Sequence, residues 1–403
     1  MKSILVLFII SSITLRCQSG SNFELVESVP AGTTLDNPDI RNAPTVWLEM
    51  IGSARHRLDI EEFYISDKVG EAFDTVVTAI QAAAARGVQV RLMADSRMYK
   101  TYPETINKLD SIKNFSVRII DYGRLDGGIQ HSKYFIVDND QMYLGSQNFD
   151  WRSLAHIHEL GVRIRQPEAV KIYEEIFDLD WRLAEKNDPA AIKRLLVHRD
   201  YTMPLRVFSG GHDSLTFIPT MSPKNLIPDT SLWDEKNITD LISKAQREVD
   251  LQVMTYSPVS RDKGYYAQLD NALRGAAVRG VKVNVIVADW SKEHPTIDYL
   301  KSLSLVPNIR VKLSEIPEWP GGYIPFARVE HCKYLVIDTS ACWIGTSNWE
   351  KSYFYTTRNV GVVVLNDQFS RRLRKIFYKD WDGPYTSLIQ AGTEYTPRRH
   401  GEN

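Results

Sequence analysis

Two copies of a short motif hold the side chains in this sequence that are best suited to chemistry. Each copy begins with His-x-Lys, runs through apolar residues to an aspartate and reaches a Gly-Ser/Thr-x-Asn turn, and the second follows the first by 200 positions. Their polar residues are His131, Lys133 and Asn148 in the first copy, and His331, Lys333 and Asn348 in the second. A register kept over so many positions indicates internal duplication, and two half-sites predict one shared active site.

These residue types suit a tetrahedral phosphate group. Lysine ammonium groups neutralise its nonbridging oxygens, and asparagine amides donate hydrogen bonds to them. Histidine titrates near neutrality, so one imidazole can attack phosphorus while the other protonates the leaving oxygen and later activates water. This division of roles needs neither a metal ion nor another cofactor. The motifs therefore predict metal-independent phosphodiester chemistry.

One further carboxylate is a candidate for the site. Glu159 lies eleven residues beyond Asn148 at the start of another predicted strand, and the counterpart at the same distance from Asn348 is Asn359. A carboxylate that accepts the distal N–H of an imidazole fixes its tautomer and raises its basicity. The two halves are therefore expected to be inequivalent. The alternative is that Glu159 is an exposed residue at a strand edge.

Each motif is predicted to form a strand that begins at its histidine. Side chains alternate between the two faces of a strand, so His131 and Lys133 should project together, while Tyr134 and Ile136 point into a core. Asp138 follows with the opposite parity and opens an Asp-Asn-Asp turn. We interpret the motif aspartates as turn residues or supporting groups rather than as direct participants in the chemistry.

At these residues the chain resembles the phospholipase D superfamily, whose signature is two copies of His-x-Lys-x-x-x-x-Asp, each followed by Gly-Ser-x-Asn. The resemblance runs from about residue 25 to about residue 390 and is strongest to the luminal branch, which holds mammalian phospholipase D family members three and four and related poxvirus envelope proteins. The strings that carry it begin at Gly145, Pro325, Gly345 and Asp380. It implies an α/β fold of two similar lobes, with mixed sheets flanked by helices, a pseudo-twofold axis and an active site at the lobe interface.

The resemblance also implies an activity. The two mammalian members act as 5′-to-3′ exonucleases on single-stranded DNA and RNA, and in the superfamily one histidine, usually the amino-terminal one, forms a phosphohistidine intermediate. We therefore expect His131 to be the nucleophile and His331 the acid, although the pseudo-symmetry leaves an exchange of roles open. Position 330 is Glu, where Asn is expected in the mammalian members, which adds a negative charge beside the catalytic strand.

Two other functions stay open. A phospholipase D or transphosphatidylase would use the same groups on a phospholipid headgroup and is expected to carry an apolar entrance or an interfacial loop. The sequence shows no strongly amphipathic surface helix that would supply one. A non-enzymatic envelope or scaffold role occurs among relatives that have lost one motif, whereas all six polar motif residues are intact here.

The amino terminus indicates export. A ten-residue apolar run, 4–13, follows Lys2 and is too short to span a bilayer, so residues 1–20 are interpreted as a signal peptide. This predicts an extracytoplasmic protein that is secreted, periplasmic or in the endolysosomal lumen. Cys332 and Cys342 then remain, and we interpret them as small core residues, with a bridge between them as the alternative.

The rest of the chain is divided into an amino-terminal lobe, 21–205, and a carboxy-terminal lobe, 206–403. Each lobe contains a predicted strand-helix-strand unit, at 57–93 in the first and at 249–287 in the second, in which a glycine ends the helix before a β-branched run. The stretch 203–228 contains Pro, Gly and Ser, breaks the periodicity, and is the expected join.

The formal net charge of −1 gives no global basic field, so any contact with nucleic acid must be local. Aromatic rings near the motifs could stack on bases, although each is singly more typical of packing. The expected substrate-binding residues are Phe149, Arg152, Phe326, Arg328, Trp349 and Tyr353, with Lys351 and Tyr355 close to the last. The expected partner is single-stranded nucleic acid, with phospholipid as the alternative; the oligomeric state is open, and a homodimer is compatible with the sequence.

Overall fold

The computed structural model describes residues 21–210, 213–260 and 263–401, so the predicted signal peptide lies outside the described residues. The first lobe is formed by β1 (Phe23–Ser28), β2 (Arg41–Asn42), α1 (Ala43–Ser53), β3 (Arg57–Glu62), β4 (Ile65–Ser66), α2 (Ala72–Ala85), β5 (Gln89–Asp95), α3 (Ser96–Tyr99), α4 (Glu104–Asp110), β6 (Phe115–Ile120), α5 (Tyr122–Asp126), β7 (Tyr134–Val137), β8 (Gln141–Gly145), β9 (Phe149–Asp150), α6 (Trp151–Ala155), β10 (Glu159–Ile164), α7 (Pro167–Leu183) and α8 (Ile192–Leu195).

The second lobe repeats much of this order. It is formed by β11 (Leu205–Gly210), β12 (Asp213–Ser222), α9 (Asp234–Lys244), β13 (Glu248–Val253), β14 (Tyr256–Ser257), α10 (Gln268–Val278), β15 (Lys282–Ala288), α11 (Thr296–Ser304), β16 (Ile309–Ser314), β17 (Tyr334–Ile337), β18 (Ala341–Gly345), β19 (Trp349–Glu350), α12 (Lys351–Tyr355), β20 (Asn359–Leu365), α13 (Asp367–Trp381) and β21 (Thr386–Leu388).

Each lobe is built on one large mixed sheet. Among the described residues, the first sheet has eight strands in the order β2-β1-β10-β8-β7-β3-β5-β6, and the second has nine in the order β11-β12-β20-β18-β17-β13-β15-β16-β21. In both sheets, the strand that directly follows the His-x-Lys residues pairs antiparallel with the first of three parallel strands. These pairs are β7 with β3 and β17 with β13. The mixed α/β fold of two similar lobes is thus confirmed.

The two strand-helix-strand units have the predicted form. In the first, α2 connects the parallel strands β3 and β5, and its apolar face, which includes Phe73, Val77 and Ile80, is buried. Gly87 follows the helix at φ 101° and Gly280 follows α10 at φ 87°, a backbone region that favours glycine. Both helices therefore end where the sequence indicates.

The lobes share one apolar core. Its members include Tyr134 and Leu160 from the first sheet, Trp343 and Val362 from the second, and the buried face of α7. The Tyr173 hydroxyl on α7 donates to the Gly361 carbonyl on β20 at 2.6 Å, which ties this helix of the first lobe to the second sheet. Burial of a continuous apolar surface is the main term that holds the halves together.

The catalytic segments cross between the lobes instead of starting strands. Strand β7 begins at Tyr134, so the prediction that the strand starts at the histidine was wrong by three residues. The reason is that His131 N donates to Arg358 O at 2.9 Å in the other lobe, and the equivalent His331 N donates to His158 O at 2.9 Å. Gly128 permits the close approach, because a Cβ there would lie 1.9 Å from the Thr356 carbonyl oxygen.

Asp138 has the structural role that was predicted for it. Its carboxylate accepts backbone N–H groups of Arg55, His56 and Arg57 at 2.7–2.8 Å, and these bonds lower its pKa from the usual value although partial burial opposes them. Asp338 accepts the equivalent three N–H groups at the start of β13. Each motif aspartate therefore secures the strand beside its histidine.

Other sequence predictions have mixed outcomes. Much of 203–228, the expected join between the lobes, forms regular strands, since β11 and β12 pair antiparallel within it. The domain boundaries remain a prediction.

Cys332 and Cys342 are free and buried, as expected of core residues. No helix in the described part of the chain combines the length and apolarity needed to cross a membrane.

Candidate active site

His331 is oriented by a carboxylate from the other lobe. Its Nδ1 lies 2.8 Å from Oε2 of Glu159, which is the first residue of β10 and is wholly buried. The second oxygen, Oε1, accepts the Ser153 hydroxyl at 2.9 Å, so the carboxylate is held at both ends. Glu159 is therefore not an exposed strand-edge residue.

His131 is oriented by an amide in the equivalent position. Its Nδ1 lies 3.1 Å from Oδ1 of Asn359, the first residue of β20. The Asn359 Nδ2 group donates to the Tyr353 carbonyl at 2.9 Å and to the Thr357 carbonyl at 3.4 Å, and Oδ1 accepts the Thr346 hydroxyl at 2.9 Å. These partners fix the orientation of the amide, so its oxygen faces the ring and His131 Nδ1 must be the donor.

The charges of the site lie close together in a buried setting. Lys133 Nζ donates to the carbonyl of His131 at 2.6 Å, and Lys333 Nζ does the same to His331 at 2.7 Å. Burial and the two lysines lower the pKa of both histidines well below the usual value. Burial also lowers the pKa of Lys333 to about 8. An anion bound between the lysines would offset these effects.

The Glu159 carboxyl has the opposite shift. Burial raises its pKa to about 8, against the attraction of Lys333 and Lys133. The Glu159 carboxyl therefore holds its proton more strongly than an ordinary carboxyl group does, beside an imidazole that is itself hard to protonate. That proton is available for transfer through the imidazole.

Tyr353 connects two of the predicted catalytic residues. Its ring meets the His131 ring edge to face at 5.0 Å between centroids, and its hydroxyl accepts Asn348 Nδ2 at 3.1 Å. The Oδ1 atoms of Asn148 and Asn348 are buried without a partner among the described residues. These oxygens only accept hydrogen bonds, so a ligand would satisfy them with a donor such as a hydroxyl group, while the Nδ2 groups of the two asparagines are the atoms that can donate to a phosphate oxygen.

The extra carboxylate at position 330 is neutralised behind the site. Glu330 Oε2 lies 2.7 Å from His158 Nδ1, and Asp380 lies 3.7 Å from the same nitrogen. These carboxylates raise the pKa of His158 to about 10 despite its burial. At the pseudo-symmetric place Arg358 pairs with Asp180 at 2.6 Å. Glu330 is therefore paired with His158, although its charge still opposes the lowering of the pKa of His331 and of Lys333.

This cluster also holds the one group of potential metal ligands found among the described residues. Ligand atoms of His158, Glu330 and Cys332 lie within 4.8 Å of one another, and all three are buried. Burial, with a smaller contribution from the charge of Glu330, raises the pKa of the Cys332 thiol well above its usual value. Since a metal needs the thiolate, the cluster fits an ion pair better than a metal centre.

Comparison with known proteins gives the family. A family model described as "Cardiolipin synthase, PLD-like domain" matches residues 47–181 and 238–381. "Phospholipase D Z" of Dictyostelium discoideum is 31% identical over 392 residues, which cover 91% of this chain and 90% of the relative. Human "5'-3' exonuclease PLD3" is 30% identical over 408 residues, 94% of this chain and 83% of the relative. The chain belongs to the phospholipase D superfamily.

The solved structures agree on the fold. Phosphatidylserine synthase of Haemophilus influenzae Rd KW20 superposes with a TM-score of 0.64 at 13% identity, covering 91% of this chain and 87% of the other. At that identity the likeness concerns architecture alone. It places this superfamily member among structures with the same two-lobe arrangement.

Two of the expected substrate contacts belong to the core. Phe149 is wholly buried, and its ring packs on Trp47 at 4.8 Å and on Phe73 at 5.5 Å. Trp349 is 1% exposed and packs beside Tyr256. Both follow the motif asparagine and enter the short strands β9 and β19, which turn the rings inward. The prediction that they stack on substrate was therefore wrong.

The two expected arginines are also committed within the protein. Arg152 forms a buried ion pair with Asp150 and donates to the Pro325 carbonyl at 3.3 Å. Arg328 donates to the carbonyls of Pro317 and Ala31 at 2.7 and 2.8 Å. Neither has its donors directed to a substrate phosphate. Of the six residues, only Phe326 and Tyr353 keep a partly exposed ring.

Sequence reasoning missed one residue that touches the site. Phe63 follows β3, and its ring lies 4.9 Å from the His131 ring and 4.9 Å from Lys133 Nζ. The repeat gives no signal for it, because the pseudo-equivalent position holds Met254. His131 is therefore enclosed between Phe63 and Tyr353 in a way that His331 is not.

Proposed function

We propose that this protein is a metal-independent phosphodiesterase in which His131 is the nucleophile and His331 the proton donor. The observation that carries the proposal is the unlike pair of acceptors on the two imidazoles. Asn359 keeps the proton on Nδ1 of His131, which leaves the lone pair of Nε2 free to attack. Glu159 supports a positive charge on His331, which a proton donor needs.

The reaction then has two balanced steps. First, His131 Nε2 bonds to phosphorus, the bond from phosphorus to the leaving oxygen breaks, and that oxygen takes the proton of His331 Nε2. Next, water attacks phosphorus and gives a proton to His331 Nε2, while the P–N bond breaks and its electrons return to His131. Lys133 and Lys333 neutralise the nonbridging oxygens in both transition states, aided by Asn148 and Asn348.

The proposed substrate is single-stranded DNA or RNA, cleaved from its 5′ end. The support is the named activity of the relatives called "5'-3' exonuclease PLD3", which this chain matches over 94% of its length. Partly exposed rings beside His131, those of Phe63 and Tyr353, add support, because unpaired bases stack on such surfaces. The predicted signal peptide supports a site of action outside the cytosol.

A second candidate is cleavage of a phospholipid headgroup. It is favoured by the two Dictyostelium relatives called phospholipase D Z and Y, which are 31% and 30% identical to this chain. The same six motif residues would serve it. The difference between the candidates lies in the groups that flank the phosphate.

Turnover in excess EDTA separates the candidates. Single-stranded oligonucleotides with either a 5′-hydroxyl or a 5′-phosphate would be compared with phosphatidylcholine vesicles, using His131→Ala as the inactive control. Stepwise release of mononucleotides from the 5′ end is expected. Inert oligonucleotides together with choline release would replace this function by the lipid reaction, and loss of all turnover in EDTA would contradict the metal-independent mechanism.

A further inference from the structure

A row of aromatic rings leads away from the nucleophilic histidine. Phe63 contacts His131 and lies 5.6 Å from Tyr64, which stacks on Tyr102 at 5.1 Å with 26° between the ring planes. Beyond Tyr102 comes the guanidinium of Arg152, at 5.7 Å from that ring. Tyr64 and Arg152 are buried, whereas Phe63 and Tyr102 are partly exposed, so the row reaches the surface of the first lobe only at these two rings.

Phe326 of the second lobe meets the far end of this row. Its ring lies 5.8 Å from the Arg152 guanidinium and is 37% exposed. Tyr102 is half-buried, so both rings keep part of their surface free. Arg152 cannot be displaced easily, because its ion pair with Asp150 and its bond to Pro325 hold it in place. The result is a rigid, charge-paired arginine flanked by a ring from each lobe.

The backbone that presents Phe326 is strained. Phe326 and Arg328 have φ values of 61° and 56°, in the left-handed region that side chains rarely adopt. The surroundings maintain these values: Phe326 N donates to the His400 carbonyl at 2.6 Å, and Arg328 N donates to His156 O at 2.8 Å. Strain that the surrounding structure maintains around an exposed apolar ring is typical of a ligand contact.

We propose that Tyr102 and Phe326 are the two sides of a nucleobase-binding subsite, which holds a base of the strand one or more nucleotides away from the scissile phosphate. This rests on the proposed function and extends it to substrate positioning. The subsite would be tolerant of sequence, because every base has a face that stacks on an aromatic ring. The net charge of the chain is near zero, so we expect base stacking rather than long-range electrostatic attraction to provide the affinity for the strand.

The test compares four substrates with variants at Phe326 and Tyr102. The substrates are bis(p-nitrophenyl) phosphate, a single-stranded dodecanucleotide, the same strand with one abasic position placed in turn at each nucleotide near the 5′ end, and phosphatidylcholine vesicles. The variants are Phe326→Ala, Phe326→Leu, Phe326→Trp and Tyr102→Ala. Phe208→Ala, which removes an exposed ring from the edge strand β11, is the matched control.

Phe326→Ala, Phe326→Leu and Tyr102→Ala are each expected to raise KM for the intact strand about tenfold, with kcat and bis(p-nitrophenyl) phosphate hydrolysis unchanged. Phe326→Trp is expected to keep the normal KM. An abasic position at the bound nucleotide should remove the difference in KM between Phe326→Ala and the parent protein. The strand then has no base at that position, so neither protein can stack on it.

Three results would overturn the subsite. One is a KM for Phe326→Ala equal to that of Phe208→Ala; another is an equal penalty on intact and abasic strands. The third is a loss confined to phosphatidylcholine vesicles, which would assign the rings to a lipid chain. Failure of the proposed function looks different, because the parent protein would then hydrolyse bis(p-nitrophenyl) phosphate but leave every oligonucleotide intact.

Discussion

Glu159 of the first lobe and His331 of the second are joined by a contact of 2.8 Å across the lobe interface, while the equivalent contact of His131 is made by Asn359 at 3.1 Å. Each catalytic histidine is therefore positioned by the opposite half of the duplicated fold. The duplication supplies the frame, and the difference between a carboxylate and an amide gives the two imidazoles different roles.

Glu159→Gln should lower kcat by an amount that depends on how much protonation the leaving group needs. With an amide beside it, His331 loses support for its positive charge, so cleavage of an alkoxide leaving group should slow by about 10²–10⁴-fold. A p-nitrophenolate leaving group needs little protonation and should be affected much less. Measurement of kcat for an oligonucleotide and for bis(p-nitrophenyl) phosphate tests this. Equal losses on both substrates would remove His331 from the role of acid.

Asn359→Ala should show the contrasting pattern. Without the amide, the His131 proton can occupy Nε2 and the ring is no longer fixed, so attack on phosphorus should slow for both leaving groups alike. We expect a loss of about 10–100-fold, the range usual for a hydrogen-bonded partner that orients a reactive imidazole in other sites. A loss limited to the poor leaving group would show that Asn359 acts on proton donation instead.

A plot of kcat/KM against pH should fall on the alkaline side of neutrality and stay level on the acid side. The lowered pKa of His131 keeps this nucleophile unprotonated into the acid range. The Glu159 carboxyl, which contacts His331, loses its proton as pH rises through its pKa of about 8, and Lys333 loses its charge near the same pH. Activity should therefore fall above about pH 8. In Glu159→Gln this fall should move to lower pH; an unchanged profile would contradict the pairing.

Asp138→Ala should destabilise the first lobe and leave the catalytic rate of the folded protein unchanged. The carboxylate accepts three backbone N–H groups, and loss of charged hydrogen bonds of this kind costs about 2 kcal/mol. Because the folded-state pKa is lowered, the contribution is complete above the ordinary aspartate pKa and disappears as pH falls through the folded-state pKa. The difference in the free energy of unfolding should thus shrink in acid. Asp140→Ala, an exposed neighbour, is the control, and equal stability of the two variants would refute the role.

His158 and Glu330 should be coupled in a double-mutant cycle. Either change alone leaves a buried charge without its nearest partner, at 2.7 Å, and breaking such a pair costs about 3–5 kcal/mol. Glu330→Gln combined with His158→Gln should cost clearly less than the two single changes added together. Chemical denaturation measures all three variants. Additive losses would mean that Asp380, not Glu330, is the effective partner of His158.

The duplication made much of the fold predictable. Two motif copies in register predict two similar lobes, and the strands and helices around Gly87 and Gly280 follow from local signals alone. The spacing from Asn148 was enough to single out Glu159 and its counterpart Asn359. The strand start at Tyr134 was not predictable, because the backbone N–H of His131 donates to Arg358 O, more than 200 positions away.

Side-chain availability was harder to predict than position. Arg152 lies close to the motif in sequence, but Asp150, two residues before it, takes up its charge. Phe149 follows the catalytic turn, but β9 turns its ring into the core. Whether a ring or a guanidinium faces substrate depends on what packs against it from distant parts of the chain, and a single sequence does not carry that information.

Trapping the covalent intermediate tests the central claim most directly. In His331→Ala, a nucleotide p-nitrophenyl ester should still transfer its phosphoryl group, because the leaving group needs no acid, and the adduct should accumulate because no group activates water. Quenching in alkali, digestion and mass spectrometry would then locate the adduct. We predict a phosphoryl adduct on His131, absent from His131→Ala. An adduct on His331 in the parent protein, or nitrophenolate release with no adduct on either histidine, would contradict the account.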